Sequence, residues 1–167
     1  TYVRSKNRPD VILADGFLRS YFFADFGRWR NRKIISFKPH NAVKFALYSS
    51  KRDSLVIEKG DSGWVFSTGE KADSAKVAES IRYLGNLRAL GFGDTLSPEV
   101  TGLENPSYTV RAVLKDGRVY TLYIGNKLEK PERYAVMAEG DNSVYLVSTY
   151  GVKKFLRQKE DYLPTPK

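Results

Sequence analysis

Residues 63–125 read GWVFSTGEKADSAKVAESIRYLGNLRALGFGDTLSPEVTGLENPSYTVRAVLKDGRVYTLYIG. Gly63-Trp64 turns the chain into a strand, Trp64 to Phe66. Val77, Ile81, Leu84, Leu87 and Leu90 then recur at spacings of four and three, one apolar face of a helix. The spacing predicts a helix of about five turns from an N-cap at Asp73 or Ser74 to Leu90, stopped by Gly91. Residues 92–106 carry two prolines and read as a loop. Tyr108, Val110, Ala112 and Leu114 alternate with polar or smaller positions, the period of a half-buried strand. Asp116-Gly117 then marks a hairpin, since Asp-Gly suits the positive φ angles of a type I′ turn, and Val119 to Ile124 returns. Glycines, prolines and core apolars stand at the fixed points of this stretch. No nucleophile, metal cluster or phosphate loop does.

The same reading extends outward. Val43, Phe45 and Leu47 form an alternating strand, and Leu55 to Ile57 pairs with it as a hairpin. Tyr134 to Met137 and Val144 to Val147 make another pair around Gly140 to Ser143, and a short helix is predicted from Tyr150 to Arg157. Ile34 to Phe37 looks extended. Short turns between consecutive strands mean an antiparallel sheet with helices on one face. The expected class is α+β, with one long and one short helix, laid out from Val43 as β-β-β-α-β-β-β-β-α.

The two ends resemble each other. Val11-Ile12-Leu13, read as a short buried strand, leads to a helix-like piece from Asp15 to Phe23 that contains Phe17-Leu18-Arg19. Val144-Tyr145-Leu146 leads to Phe155-Leu156-Arg157. Residues 1–33 therefore read as closing elements of a preceding repeat or as an N-terminal extension. Residues 34–160 form the main domain, and 161–167 a frayed tail.

With 167 residues, 41% apolar, the chain is long enough for one domain with a core. The absence of cysteine excludes disulfides and Cys-ligated metals. No apolar run is long enough for a membrane-spanning helix, and no leader pattern is visible. The chain opens with Thr1 rather than Met, and an excised piece is expected. Net charge is +9 and lopsided. Residues 1–60 hold 13 Lys and Arg against 5 Asp and Glu, whereas residues 61–167 hold 15 against 14.

That excess draws attention to Arg28, Trp29, Arg30, Arg32 and Lys33, the candidate binding patch. Arginines suit phosphate contacts, and Trp29 suits stacking on a base or seating at an anionic lipid interface. Lys38, Lys44, Lys51 and Arg52 would enlarge the patch if they face the same way. The structural alternative is an inter-repeat junction with Trp29 packed in the core, and it is the favoured reading. Other candidates are weaker. His40 is the lone histidine and lacks partners for a triad or metal site. Glu129 with Glu132, and Glu139 with Asp141, are turn carboxylates. Gly91-Phe92-Gly93-Asp94 follows a helix, whereas a phosphate loop precedes one. Trp64 and Tyr83, Tyr108, Tyr120, Tyr123, Tyr134 and Tyr145 read as cross-strand pairs and core edges rather than a groove. No catalytic, cofactor-binding or metal residue is assigned, and no cofactor is expected.

The ordered landmarks are Gly63-Trp64, Ala72-Asp73, Leu87 to Phe92, Gly102-Leu103-Glu104-Asn105-Pro106, Leu122-Tyr123-Ile124-Gly125, Arg133-Tyr134 and Val144-Tyr145-Leu146. Together they resemble an uncharacterised bacterial family, domain-of-unknown-function family 4340, over roughly residues 28–157. The resemblance implies a periplasmic or otherwise extracytoplasmic domain, membrane-anchored in its full-length protein and often encoded near gliding-motility or export-type ABC transporters. It implies no catalytic residue. The expectation is a non-catalytic accessory or scaffold module that binds a protein partner of transport or envelope machinery. The alternative is a basic nucleic-acid-binding module acting through Arg28 to Lys33. A carboxylate-based hydrolase is a third reading, and it needs two acids converging in a pocket.

Overall fold

The computed structural model describes residues 2–4, 6–7, 9–18 and 29–164. The chain divides into two compact units, 1–31 and 32–167, each taken by itself below. Arg28, most of the helix-like piece from Asp15 to Phe23, and 165–167 lie outside the described residues.

The first unit holds a two-stranded antiparallel sheet of β1 (Tyr2–Arg4) and β2 (Val11–Leu13). Val11, Ile12 and Leu13 form the expected strand, but they are 60%, 57% and 66% exposed, not buried. A sheet of two strands has no second layer of its own to cover it.

The second unit is α+β. After a 3-10 turn at Pro39–Asn41, β3 (Ala42–Ser49), β4 (Leu55–Gly60) and β5 (Gly63–Phe66) form an antiparallel meander. Then come α1 (Ser74–Gly85), β6 (Gly91–Phe92), α2 (Pro98–Thr101), β7 (Tyr108–Leu114), β8 (Val119–Glu129), β9 (Glu132–Ala138), β10 (Tyr145–Ser148), α3 (Thr149–Lys153) and α4 (Lys159–Tyr162). One eight-stranded sheet results, ordered β5-β4-β3-β7-β8-β9-β10-β6. The outer edge of β5 is closed by its own chain: Ala72 N–H donates to the Trp64 carbonyl, and Phe66 N–H to that of Glu70. This blunts an edge that could otherwise recruit another strand.

Alternation along the strands decides the core. Phe45 and Leu47, Val110, Ala112 and Leu114, and Leu122 and Ile124 point to one face, where Val77, Ile81 and Leu84 of α1 meet them. Asp73 caps α1 as its position predicts, accepting from Ala75 and Lys76 N–H at 2.9 and 3.2 Å. The helix ends at Gly85, short of the expected Leu90. Gly85 lies against Phe37, where a Cβ would sit 3.0 Å from the ring, and Asn86 caps the end by donating to the Arg82 carbonyl. The next residues run extended between two partners. Ile34 N–H donates to the Leu87 carbonyl, Ala89 N–H to that of Arg32, and Leu90 N–H to that of Leu146. Leu87 is buried but Leu90 is 49% exposed. Its apparent place on the helical stripe is a coincidence of spacing.

The Asp116-Gly117 hairpin joins β7 to β8, with a different turn from the expected type I′. Gly117 has φ 83, but no non-glycine residue among those described has positive φ, and type I′ needs two. Gly117 N–H donates to the Leu114 carbonyl, and Leu114 N–H to that of Arg118, the pattern of a three-residue loop with Gly at the left-handed position.

The tail is ordered further than expected. Instead of fraying from 161, the chain forms α4 and buries Tyr162 completely. The Tyr162 hydroxyl lies 2.9 Å from Ser80 Oγ on α1, its carbonyl accepts from Asp73 N–H at 2.7 Å, and Lys76 Nζ donates to the Leu163 carbonyl. Burial pushes the Tyr162 hydroxyl up to about 12.

Candidate functional site

The sequence-predicted patch straddles the boundary between the two units, and its Arg28 lies outside the described residues. Trp29 and Arg30 belong to the first unit, and Arg32 and Lys33 to the second. Trp29 is 63% exposed, so it is not packed in a core as the junction reading required. Arg32 and Lys33 are tied through their backbones to Ala89 and Arg88. Within the second unit, Lys38 is far from Lys51 and Arg52. Lys38 stands before β3, whereas Lys51 and Arg52 follow it, and an eight-residue strand spans about 26 Å. Lys44 pairs with Glu58 across β3 and β4 at 2.6 Å.

The other candidates resolve into structural roles. His40 is exposed in the 3-10 turn. Glu132 pairs with Lys127. Asp141 accepts from Ser143 N–H and from the Tyr145 hydroxyl. The aromatics are dispersed in pairs: Phe37 with Tyr120, Phe92 with Tyr145, and Tyr83 with Tyr150. Trp64 is buried in the core. Among the described residues no three His, Asp or Glu side chains cluster to hold a metal ion.

A different place has the features of a binding site. An open cleft of about 460 Å³ lies where the β3–β4 connection, the start of β7 and the α3–α4 connection meet. The register makes it: Ser49 pairs with Tyr108 at the end of the β3–β7 ladder, bringing Lys51 and Arg52 beside a ring nearly 60 residues away in sequence. The Arg52 guanidinium stands 6.0 Å from the centre of the Tyr108 ring. Buried Leu47 and Leu55 line the cleft with these groups. Arg157 and Lys159 form the far wall.

Those far-wall cations are already engaged. Arg157 and Lys154 both bind Glu79, and the Arg157 guanidinium, then Lys154, hold the Glu79 carboxyl below the usual range. Lys159 binds Glu70, whose carboxyl is lowered first by Lys159 and then by the Thr68 hydroxyl. Lys51 and Arg52, in contrast, make no ion pair with any described residue. The cleft thus sets Lys51 and Arg52, paired with no described carboxylate, beside Leu47, Leu55 and Tyr108, with Asp53 and Glu160 also on its lining. That combination fits a carboxylate-bearing segment with adjacent apolar side chains.

In the sequence Lys51 and Arg52 read only as extensions of the Arg28–Lys33 patch, and Tyr108 reads as one of the cross-strand or core-edge aromatics. The signal that joins them is the strand register, which the alternation of β3 and β7 suggests but does not fix.

A second, smaller hollow of about 270 Å³ is bordered by Ile34, Ile35, Tyr120, Thr121 and Asp141. The Thr121 hydroxyl is buried with no hydrogen-bond partner.

The family model described as Domain of unknown function (DUF4340) matches residues 1–106. The chain belongs to this family. The match takes in the DUF4340 landmarks Gly63-Trp64, Ala72-Asp73, Leu87 to Phe92 and Gly102 to Pro106, and those from Leu122 onward lie beyond it. It also takes in the β3–β4 connection with Lys51 and Arg52, while Tyr108 and the far wall of the cleft are outside the matched residues. No curated protein and no solved structure matches this DUF4340 chain. No helix among the described residues is long and apolar enough to cross a membrane.

Proposed function

We propose that this chain is a non-catalytic accessory or scaffold module that binds a protein partner of membrane transport or envelope machinery outside the cytoplasm. The setting is what the resemblance to the DUF4340 family implies. The observation that carries the binding role is the cleft, where Lys51 and Arg52, paired with no described carboxylate, stand beside Leu47, Leu55 and Tyr108. An acidic segment of the partner is the occupant its charge and floor favour. A photo-crosslinking residue at Arg52, compared with one at the distant Lys115 turn, tests this in native envelopes. The reading expects a membrane protein captured from position 52 and not from 115. Equal or no capture from position 52 contradicts it.

The exposed ring of Trp29 favours a second reading, a basic nucleic-acid-binding module using Arg28, Trp29, Arg30, Arg32 and Lys33. Trp64 is buried, so quenching of tryptophan fluorescence by an oligonucleotide reports Trp29. Salt-dependent quenching lost on charge reversal of Arg28, Arg30 and Arg32 would support it. No quenching at low salt would remove it.

A further inference from the structure

An offset of 133 residues lays two of the three β1–β2 pairs on pairs of β9 and β10, while the third, Arg4 with Val11, has no counterpart there. Tyr2 pairs with Leu13 and Val3 with Ile12. Adding 133 to each number gives Ala135 with Leu146 and Val136 with Tyr145, which are the pairs observed between β9 and β10. The same offset puts Val11 on Val144 and Asp15 on Ser148, the residue that precedes α3. Without a gap it also puts Phe22 on Phe155 and Trp29 on Tyr162. The Phe17-Leu18-Arg19 match, by contrast, needs an offset of 138, which breaks the register.

The burial of the two hairpins is opposite. Ala135, Val136, Tyr145 and Leu146 are buried, with β8 on one edge and β6 on the other. Tyr2, Val3, Ile12 and Leu13 are exposed, and among the described residues each strand of the first sheet has one neighbour. A lone two-stranded sheet with apolar side chains on it is marginal in water.

We infer that β1–β2 is the closing hairpin of a preceding copy of this fold, in a natural product built of copies with a period of 133 residues. The occupant of its exposed apolar surface is that preceding copy. A strand equivalent to β8 pairs with β1, one equivalent to β6 pairs with β2, and a helix equivalent to α1 lies beneath.

The test uses the natural gene product that carries the residues upstream of Thr1, beside the 167-residue chain. Its sequence is expected to show a Gly-Trp pair about 70 residues before Thr1 and a hairpin glycine about 17 residues before it. Amides of Tyr2–Arg4 and Val11–Leu13 are expected to exchange at least about 100-fold more slowly in the longer product than in the 167-residue chain. An upstream sequence without that period, or equal exchange in the two chains, overturns the inference. So does protection in the 167-residue chain that grows with its concentration, since a second copy would then be the cover.

Discussion

Gly125 in β8 lies so close to Thr101, the last residue of α2, that a Cβ on Gly125 would collide with the Thr101 carbonyl oxygen. This contact joins two landmarks separated in sequence, the Gly102–Pro106 loop and the Ile124-Gly125 pair. Gly102 has φ 63 and ends α2, and Asn126 beside Gly125 donates to the carbonyls of Glu99 and Val100. The β8–β9 ladder shifts register between Ile124 and Lys127 to make room. Gly125→Ala is therefore expected to destabilise the fold by about 3 kcal/mol or more, since backbone must move. Asn126→Ala, which removes only the capping bonds, is expected to cost about 1 kcal/mol. Urea unfolding of both variants checks the order.

Tyr162 gives a prediction at alkaline pH. Burial raises its folded-state value from the ordinary 10 to about 12, so its stabilising contribution is whole below pH 10 and is lost as pH rises toward 12. The shift corresponds to about 3 kcal/mol at most. Tyr162→Phe is expected to lose about 1 kcal/mol at pH 7, through the missing hydrogen bond with Ser80. The variant should also show a shallower fall in stability between pH 10 and 12 than the parent, measured by denaturant titration at each pH.

Glu79 acts at the other end of the scale. Arg157 and then Lys154 lower its folded-state value, so the stability it contributes is present above the ordinary carboxylate range and is lost as pH falls through and below it. Glu79→Gln should be less stable than the parent at pH 7, and the gap should narrow on acidification toward pH 3. Melting temperatures across that range decide the point.

Thr121 runs the opposite way from these. Its buried hydroxyl has no partner, and burying an unbonded polar group is unfavourable. Thr121→Val keeps the shape and removes the hydroxyl, so it is expected to be neutral or to stabilise by about 1 kcal/mol. A loss of more than about 1 kcal/mol would show that the hydroxyl is bonded in solution.

The sheet was legible because its strands carry local signals. Alternation at Val43–Leu47 and Tyr108–Leu114, the Asp116-Gly117 turn and the Asp73 cap all act within a few residues. The end of α1 was not, because Leu87 continues the helical spacing while its backbone is claimed by Ile34, fifty residues earlier. The order in Tyr162 was hidden for the same reason: Ser80 and Asp73 hold it from across the fold. The cleft is non-local in full. Lys51, Arg52 and Tyr108 become neighbours only through the pairing of β3 with β7, and the tools of local periodicity do not reach that far.

The proposed binding role rests on the basic cleft, and one titration addresses it directly. A short peptide of glutamates and leucines, added to isotope-labelled protein at low salt, is followed by amide chemical shifts. The account predicts saturable shifts centred on Ser49–Leu55, Tyr108 and Gln158–Glu160, abolished in the double variant Lys51→Glu, Arg52→Glu. Absence of shifts there, or shifts centred instead on Trp29 to Lys33, would contradict it.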